Sequence, residues 1–296
     1  MQVTGLLACL QTTASEQRGP KEMSQSQCDC ADVDRVRMQI AGGRKAVASL
    51  APTYPAAFMG SSAGSVVSAL RLVGFRRVEE TACALDMIVA QRARLIAESD
   101  NVHISTSCPL VVSLVLAEYP ELVPALAPMP SPMTLHGRLL KEAQGEDSLV
   151  VFVGPCLAKK EEAGRSSTSH VDVVLTFREL ESWMNEEGLR VSDLPPSDPD
   201  RRGSESARLG PIPEGISGLD DCRAVLDRLV RGEYIPAGRF LELLACPGGC
   251  VNGPGMPDAL EGPEARKSRI ASFALGCGGL AGASQEGIMS RRSVRS

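Results

Sequence analysis

Ser148-Leu149-Val150-Val151-Phe152-Val153-Gly154-Pro155-Cys156 is the stretch that decides the fold. An unbroken apolar run of this length is the pattern of a strand buried on both faces, as in parallel sheets. The Gly-Pro pair then ends the strand and turns the chain into a cysteine. Outward from it, the order of strand, loop and helix repeats. Towards the N-terminus, residues 45–51 read as a buried strand closed by Pro52, 60–73 as a helix, 76–81 as a short strand and 87–99 as a helix. Val102-His103-Ile104-Ser105 forms a strand leading to Cys108, and helix follows over 110–119. Towards the C-terminus, 171–176 is strand, 178–187 and 222–231 are helix, and 240–245 is strand. Residues 193–217, dense in Pro, Ser, Asp, Gly and Arg, read as a flexible excursion. This alternation predicts an α/β fold with parallel or mixed sheets flanked by helices.

The composition supports a sizeable aliphatic core. The 296 residues are 43% hydrophobic but only 3% aromatic, enough for one large or two modest domains of a soluble globular protein. A dispersed net charge of -5 disfavours nucleic acid and membrane surfaces as partners. Ten cysteines would suggest a disulfide framework in a short secreted chain. However, Leu6-Leu7-Ala8-Cys9 imitates a lipoprotein cleavage site without the basic and fully apolar segments that should precede it. No run is long enough to span a membrane, so the expected compartment is the cytoplasm, where reduced cysteines more often bind metal or react than pair. Residues 1–32, with Cys28-Asp29-Cys30, are expected to be a flexible extension, 33–271 the folded domain and 272–296 a tail.

Four cysteines stand apart from the other six. They lie in Ser105-Thr106-Ser107-Cys108-Pro109, in Gly154-Pro155-Cys156, and in Cys246-Pro247-Gly248-Gly249-Cys250-Val251-Asn252-Gly253. Each segment follows a predicted strand. Thiolates on Pro/Gly-shaped loops suit a cubane iron-sulfur cluster, because they are soft ligands for iron on backbone that can come close to it. Ligands in such folds gather beyond the carboxyl ends of the strands, and helix N-termini favour thiolates. Zinc is the alternative metal, although structural zinc sites usually show two paired-cysteine knuckles and only one pair exists here. Simple burial as a small apolar side chain is the reading for Cys9, Cys83, Cys222 and Cys277.

Together the three segments resemble the three cluster-binding motifs of [FeFe]-hydrogenases, and residues 45–271 resemble the C-terminal domain of the large chain in that family. The implied molecule has two lobes, roughly 33–147 and 148–271, with the metal cluster buried between them. The resemblance implies an H-cluster: a [4Fe-4S] cubane on Cys108, Cys156, Cys246 and Cys250, joined through the Cys250 sulfur to a diiron unit with CO, CN and a bridging dithiolate. Lys159 matches the lysine that donates to a cyanide, a charge-assisted contact. Taken without the family, it is a solvated lysine in Lys159-Lys160-Glu161-Glu162. Pro52-Thr53 and Ser131-Pro132-Met133 match loops that wall the diiron pocket. H2 and protons would be the substrates, maturation factors would supply the diiron unit, and an external redox or signalling protein would be the partner.

The departures from that family pattern carry information too. Ser107 stands where catalytic members have a second cysteine, and a hydroxyl lacks the acid-base chemistry that a thiol offers near neutral pH. By the same resemblance, relay carboxylates fall on Gln91 and Arg94, and a relay hydroxyl on Ala127. Methionines beside the diiron unit fall on Gly154 and Leu244, which would open or soften the pocket. This looks like the sensory, low-turnover branch, whose members usually add ferredoxin-like and PAS-type segments that are not legible here. The expected function is a hydrogenase-type enzyme that slowly oxidises or evolves H2, as a hydrogen sensor. The alternatives are an iron-sulfur assembly or scaffold protein holding only a [4Fe-4S] cluster, and a degenerate partner-binding domain with an empty site.

Overall fold

Two parallel sheets organise the chain, and six of their seven strands fall where the sequence predicts strand. The computed structural model describes residues 25–165, 170–204, 214–257 and 261–274. The first sheet has the order β2 (Arg77–Glu80), β1 (Ala46–Leu50), β4 (Leu149–Gly154) and β5 (Val173–Thr176), with every neighbour parallel. The second has the order β3 (His103–Ile104), β7 (Phe240–Leu244) and β6 (Glu214–Ser217), again parallel. The central strands β1 and β4 pair from Ala46↔Leu149 to Leu50↔Val153 and are buried throughout. That burial is why both read as continuous apolar runs rather than alternating ones. Each sheet takes strands from both sides of residue 147, so a cut of the chain at that point does not separate them.

Helices cover the sheets: α1 (Gln25–Ala41), α2 (Ala63–Leu72), α3 (Leu85–Glu98), α4 (Pro109–Glu118), α5 (Pro132–Gln144), α6 (Ala158–Arg165), α7 (Phe177–Glu186), α8 (Leu219–Val230) and α9 (Pro263–Ala274). Their starts follow local chemistry. Ser62 and Ser131 cap α2 and α5 by accepting from the backbone three residues on, and Thr176 with Glu179 forms a capping box for α7. Proline occupies the first turn of α4 and α5, where its missing N–H costs nothing. As the low aromatic content requires, the cores are aliphatic. One surrounds the first sheet, with Leu50, Leu70, Val151 and Leu175, and another surrounds the second, with Ile104, Val115, Leu226 and Leu241.

Three expectations are corrected. The N-terminal extension is helical from Gln25, because Val33 and Val36 bury against the first sheet and draw the preceding turns into α1. Ser131-Pro132-Met133 is not a loop but the capped start of α5. The supposed excursion over 193–217 is anchored in its described parts. Asp200 N–H donates to Val78 O at 2.7 Å, its carboxylate accepts from Val78 N–H at 2.8 Å, and Glu80 N–H donates to Arg201 O at 3.0 Å. Polar residues here satisfy the open edge of β2, and 214–217 form β6; composition alone cannot register either role. Cys9 and Cys277 lie outside the described residues.

Candidate metal centre

The three cysteine loops all leave the carboxyl ends of strands. β3 leads through Ser105-Thr106-Ser107 to Cys108, which stands at the N-cap position of α4 without a side-chain capping bond. β4 ends at Gly154, and the Cys156 sulfur accepts from the backbone N–H groups of Lys159 and Ala158 at the start of α6. That is the positive end of a helix, where a thiolate is favoured. β7 delivers Cys246, after which Gly248 and Gly249 take φ of 76° and 89°, conformations that side chains penalise. The resulting turn lets Gly249 N–H donate to Cys246 O at 2.9 Å and places Cys250 at the head of the short helix Cys250–Asn252.

The second and third loops touch through their backbones. Gly255 N–H donates to Pro155 O at 2.8 Å, and a Cβ on Gly253 would lie 2.5 Å from that same oxygen. From α9, the buried Arg266 donates to Val251 O at 2.9 Å and Pro257 O at 3.2 Å, holding the third loop from behind. Lys159 joins the first loop to the second: its Nζ donates to Ser107 O at 2.9 Å and pairs with Glu162 Oε2 at 2.5 Å. Glu162 also accepts from Ser131 Oγ, and from Thr134 Oγ1 at 3.1 Å. Lys159 is therefore no solvated member of a charge run, being only 8% exposed. Two of its three N–H donors are used within the protein and one remains.

The four thiols are free and lie within electrostatic reach of one another. Burial pushes the Cys156, Cys246 and Cys250 thiols up, the last to about 12; Cys108 adds to the rise in all three, Cys156 adds to it for Cys246 and Cys250, and Cys246 for Cys250. For Cys156 the Lys159 N–H works in the opposite direction. Cys250 exposes surface although protein crowds its sulfur. Four thiolates held this close repel one another, and a cationic core that takes their protons' place removes the repulsion. The donor set, four sulfurs from three separate loops, fits a [4Fe-4S] cubane. Elsewhere, at the head of the turn Tyr54–Ala56, the Thr53 hydroxyl is a buried polar atom that no protein group satisfies.

The other residues singled out from sequence lie as follows. Pro52 is exposed and Thr53 half-buried at the head of the turn Tyr54–Ala56. Met133 is buried in the core of the first sheet. Gly154 opens no space, because a Cβ there would meet the Phe152 ring at 2.6 Å and Ala51 Cβ at 2.9 Å. Leu244 sits beside the double-cysteine turn, its Cδ1 3.5 Å from where a Gly249 Cβ would be. Gln91 is half-buried with its Oε1 unpartnered, Arg94 is exposed and Ala127 is buried. Sequence reasoning missed Glu242. The Ser105 hydroxyl donates to the Ser107 hydroxyl at 2.9 Å, and both lie beside the Glu242 carboxyl. Burial pushes that carboxyl up, and the two serines hold it partly down. A lone carboxylate in the apolar strand Phe240-Leu241-Glu242-Leu243-Leu244 was the available signal.

Comparison with known proteins settles the ancestry. The family model described as "Iron only hydrogenase large subunit, C-terminal domain" matches residues 44–217 and 213–254. The chain belongs to this family. Among curated hydrogenases it is 26% identical over 278 residues to the periplasmic [Fe] hydrogenase large subunit of Nitratidesulfovibrio vulgaris, covering 70% of this chain and 66% of the relative. It is 24% identical over 271 residues to the NADP-reducing hydrogenase subunit HndD of Solidesulfovibrio fructosivorans, covering 67% and 46%. The chain thus spans about half to two thirds of the length of the curated relatives it matches. Apo [FeFe]-hydrogenase HydA1 from Chlamydomonas reinhardtii shares the fold, with a TM-score of 0.69 at 18% identity over 81% of this chain and 88% of that one. A structure of HydA(deltaEFG) from a study of stepwise H-cluster assembly gives the same values. Parallel sheets flanked by helices are the architecture of this hydrogenase fold, as expected from the strand pattern. Among the described residues, no helix is long and apolar enough to cross a membrane.

Proposed function

We propose that residues 33–271 form an H-cluster domain that oxidises or evolves H2 slowly, as a hydrogen sensor. The observation that supports this reading is that Cys108, Cys156, Cys246 and Cys250, free thiols on three loops, lie within electrostatic reach of one another. When bound, the cluster supplies hydrogen chemistry at its diiron unit and an electron path through its cubane. The chain's own residues position it and manage protons. The locked loops fix the four sulfurs in advance. Lys159, tethered by Ser107 O and Glu162, keeps one N–H for a cyanide, and Thr53 offers a further donor in the pocket wall.

Slow turnover follows from the proton route. The Ser107 hydroxyl does not ionise near neutral pH, Gln91 carries an amide in place of a carboxyl, and Ala127 offers no hydroxyl. Glu242, beside Ser107, is the carboxyl left to exchange protons with it. H2 and protons are the substrates in this proposal, maturation factors supply the diiron unit, and another polypeptide takes the electrons or the signal. Free thiols at Cys83, Cys108, Cys156, Cys222, Cys246 and Cys250 accord with a reducing cytoplasm as the proposed compartment.

Infrared spectroscopy of the anaerobically purified, matured protein tests the proposal. The expected result is CO and CN stretching bands together with about four cubane irons and two diiron irons per chain. A loaded cubane without those bands would reject the H-cluster in favour of a [4Fe-4S] scaffold. A protein that takes up no iron would reject both.

A further inference from the structure

A second group of metal-ligating side chains lies on elements that carry none of the loop cysteines. Glu79 of β2, Cys83 of the short helix Thr81–Ala84 and His136 of α5 are all buried, and their ligand atoms lie within 4.8 Å of one another. His136 is fully buried, and its Nδ1 is 2.8 Å from Ser49 Oγ, which in turn is 2.8 Å from Thr81 Oγ1. Its Nε2 has no hydrogen-bond partner. A buried ring nitrogen left unpaired costs about 1–3 kcal/mol, so the fold needs a reason to keep it there.

The carboxylate facing Nε2 is misplaced for a hydrogen bond and well placed for something else. Glu79 Oε2 lies 3.6 Å away, beyond the usual N–H···O range. Two ligands at about 2.0–2.1 Å on a tetrahedral zinc are about 3.3 Å apart, close to that separation. The other Glu79 oxygen is taken by Arg77 Nε at 2.5 Å, which leaves Oε2 as the one to present. The tether from Nδ1 to a hydroxyl is the outer contact that fixes a metal-binding imidazole in orientation and tautomer.

We propose that Glu79 Oε2, Cys83 Sγ and His136 Nε2 form a zinc site that pins β2, the Thr81–Ala84 helix and α5 together. Carboxylate, thiolate and imidazole are all zinc ligands, and a fourth position is left for water. Binding displaces the Cys83 thiol proton to solvent. The two anionic ligands then neutralise the dication, so the neighbouring Arg77 and Arg201 face no net positive charge. Nothing in this proposal depends on the H-cluster.

Zinc analysis and zinc-edge X-ray absorption on the full, iron-loaded chain, purified with zinc in the medium, test it. The expected result is about one zinc per chain with one sulfur and otherwise nitrogen and oxygen neighbours. In Cys83→Ala the sulfur neighbour disappears, and zinc retained after dialysis against a mild chelator falls at least tenfold. His136→Ala should behave alike. If that variant fails to fold through loss of the Ser49 contact, Cys83→Ala decides alone. Absence of zinc from the wild type overturns the proposal. So does zinc with four sulfur neighbours that Cys83→Ala leaves unchanged, since that metal would sit in the loop quartet.

Discussion

Ser107 differs from a cysteine by one atom, and that atom governs whether the position can lose a proton at neutral pH. Its hydroxyl already belongs to a chain with Ser105 and Glu242, so a thiol placed there meets a carboxyl whose acidity burial has weakened. Ser107→Cys is therefore expected to raise hydrogen evolution by the matured protein about 10- to 100-fold, within the range of a gained acid-base group. Glu242→Gln in that background should remove most of the gain. A reduced-viologen assay reads both, and an unchanged rate in the first variant would mean that Gln91 and Arg94 block the route instead. The four loop cysteines stand out in the sequence because each carries local marks, proline or glycine after an apolar strand. Lys159 was ambiguous from sequence, since its burial depends on Ser107 and Glu162 meeting it in three dimensions. Glu242 was illegible for the same reason: its serine partners arrive on β3, more than a hundred residues earlier, through the pairing of Ile104 with Leu241.

At the level of elements, the contact between the second and third loops is the tightest feature of the centre. Gly253 is needed there for room rather than for unusual backbone angles, since its φ is an ordinary -67°. In Gly253→Ala the new methyl meets a backbone oxygen that Gly255 already holds, so one of the two loops must move. Forced packing of this kind costs about 1–3 kcal/mol. The expected result is a melting temperature lower by several degrees, at about 2–4 °C per kcal/mol, together with iron content reduced by half or more. Gly262→Ala, where a Cβ meets nothing within 4 Å, serves as the control. Equal iron and equal melting in the two variants would show that the loops are not coupled. Strands β1 and β4 were legible since burial on both faces leaves an unmistakable apolar run. β6 was not, because Glu214-Gly215-Ile216-Ser217 becomes a strand only through its hydrogen bonds to β7. The start of α5 did hold its signal, a serine cap followed by proline, which the likeness to a pocket-wall loop concealed.

Across the whole molecule, the quartet straddles two cores. Cys156 leaves the sheet β2-β1-β4-β5, whereas Cys108, Cys246 and Cys250 leave the sheet β3-β7-β6. Protein contacts between the loops already tie the halves through Lys159, Gly253 and Gly255, and iron bound to all four sulfurs adds bonds that exist only in the folded state. A ligand at a thousandfold excess over its dissociation constant stabilises by about 4 kcal/mol, on the order of 10 °C for a domain of this size. Anaerobic calorimetry should accordingly show the iron-loaded protein melting about 10 °C above the iron-free form. The heat absorption of the iron-free form should be broader, as the two cores lose part of their coupling. Replacing Cys156 alone with alanine should reproduce the iron-free profile, because the first sheet then contributes no ligand. Identical melting with and without iron would mean that the four sulfurs do not share one metal core, and the assignment of the centre would fail with it.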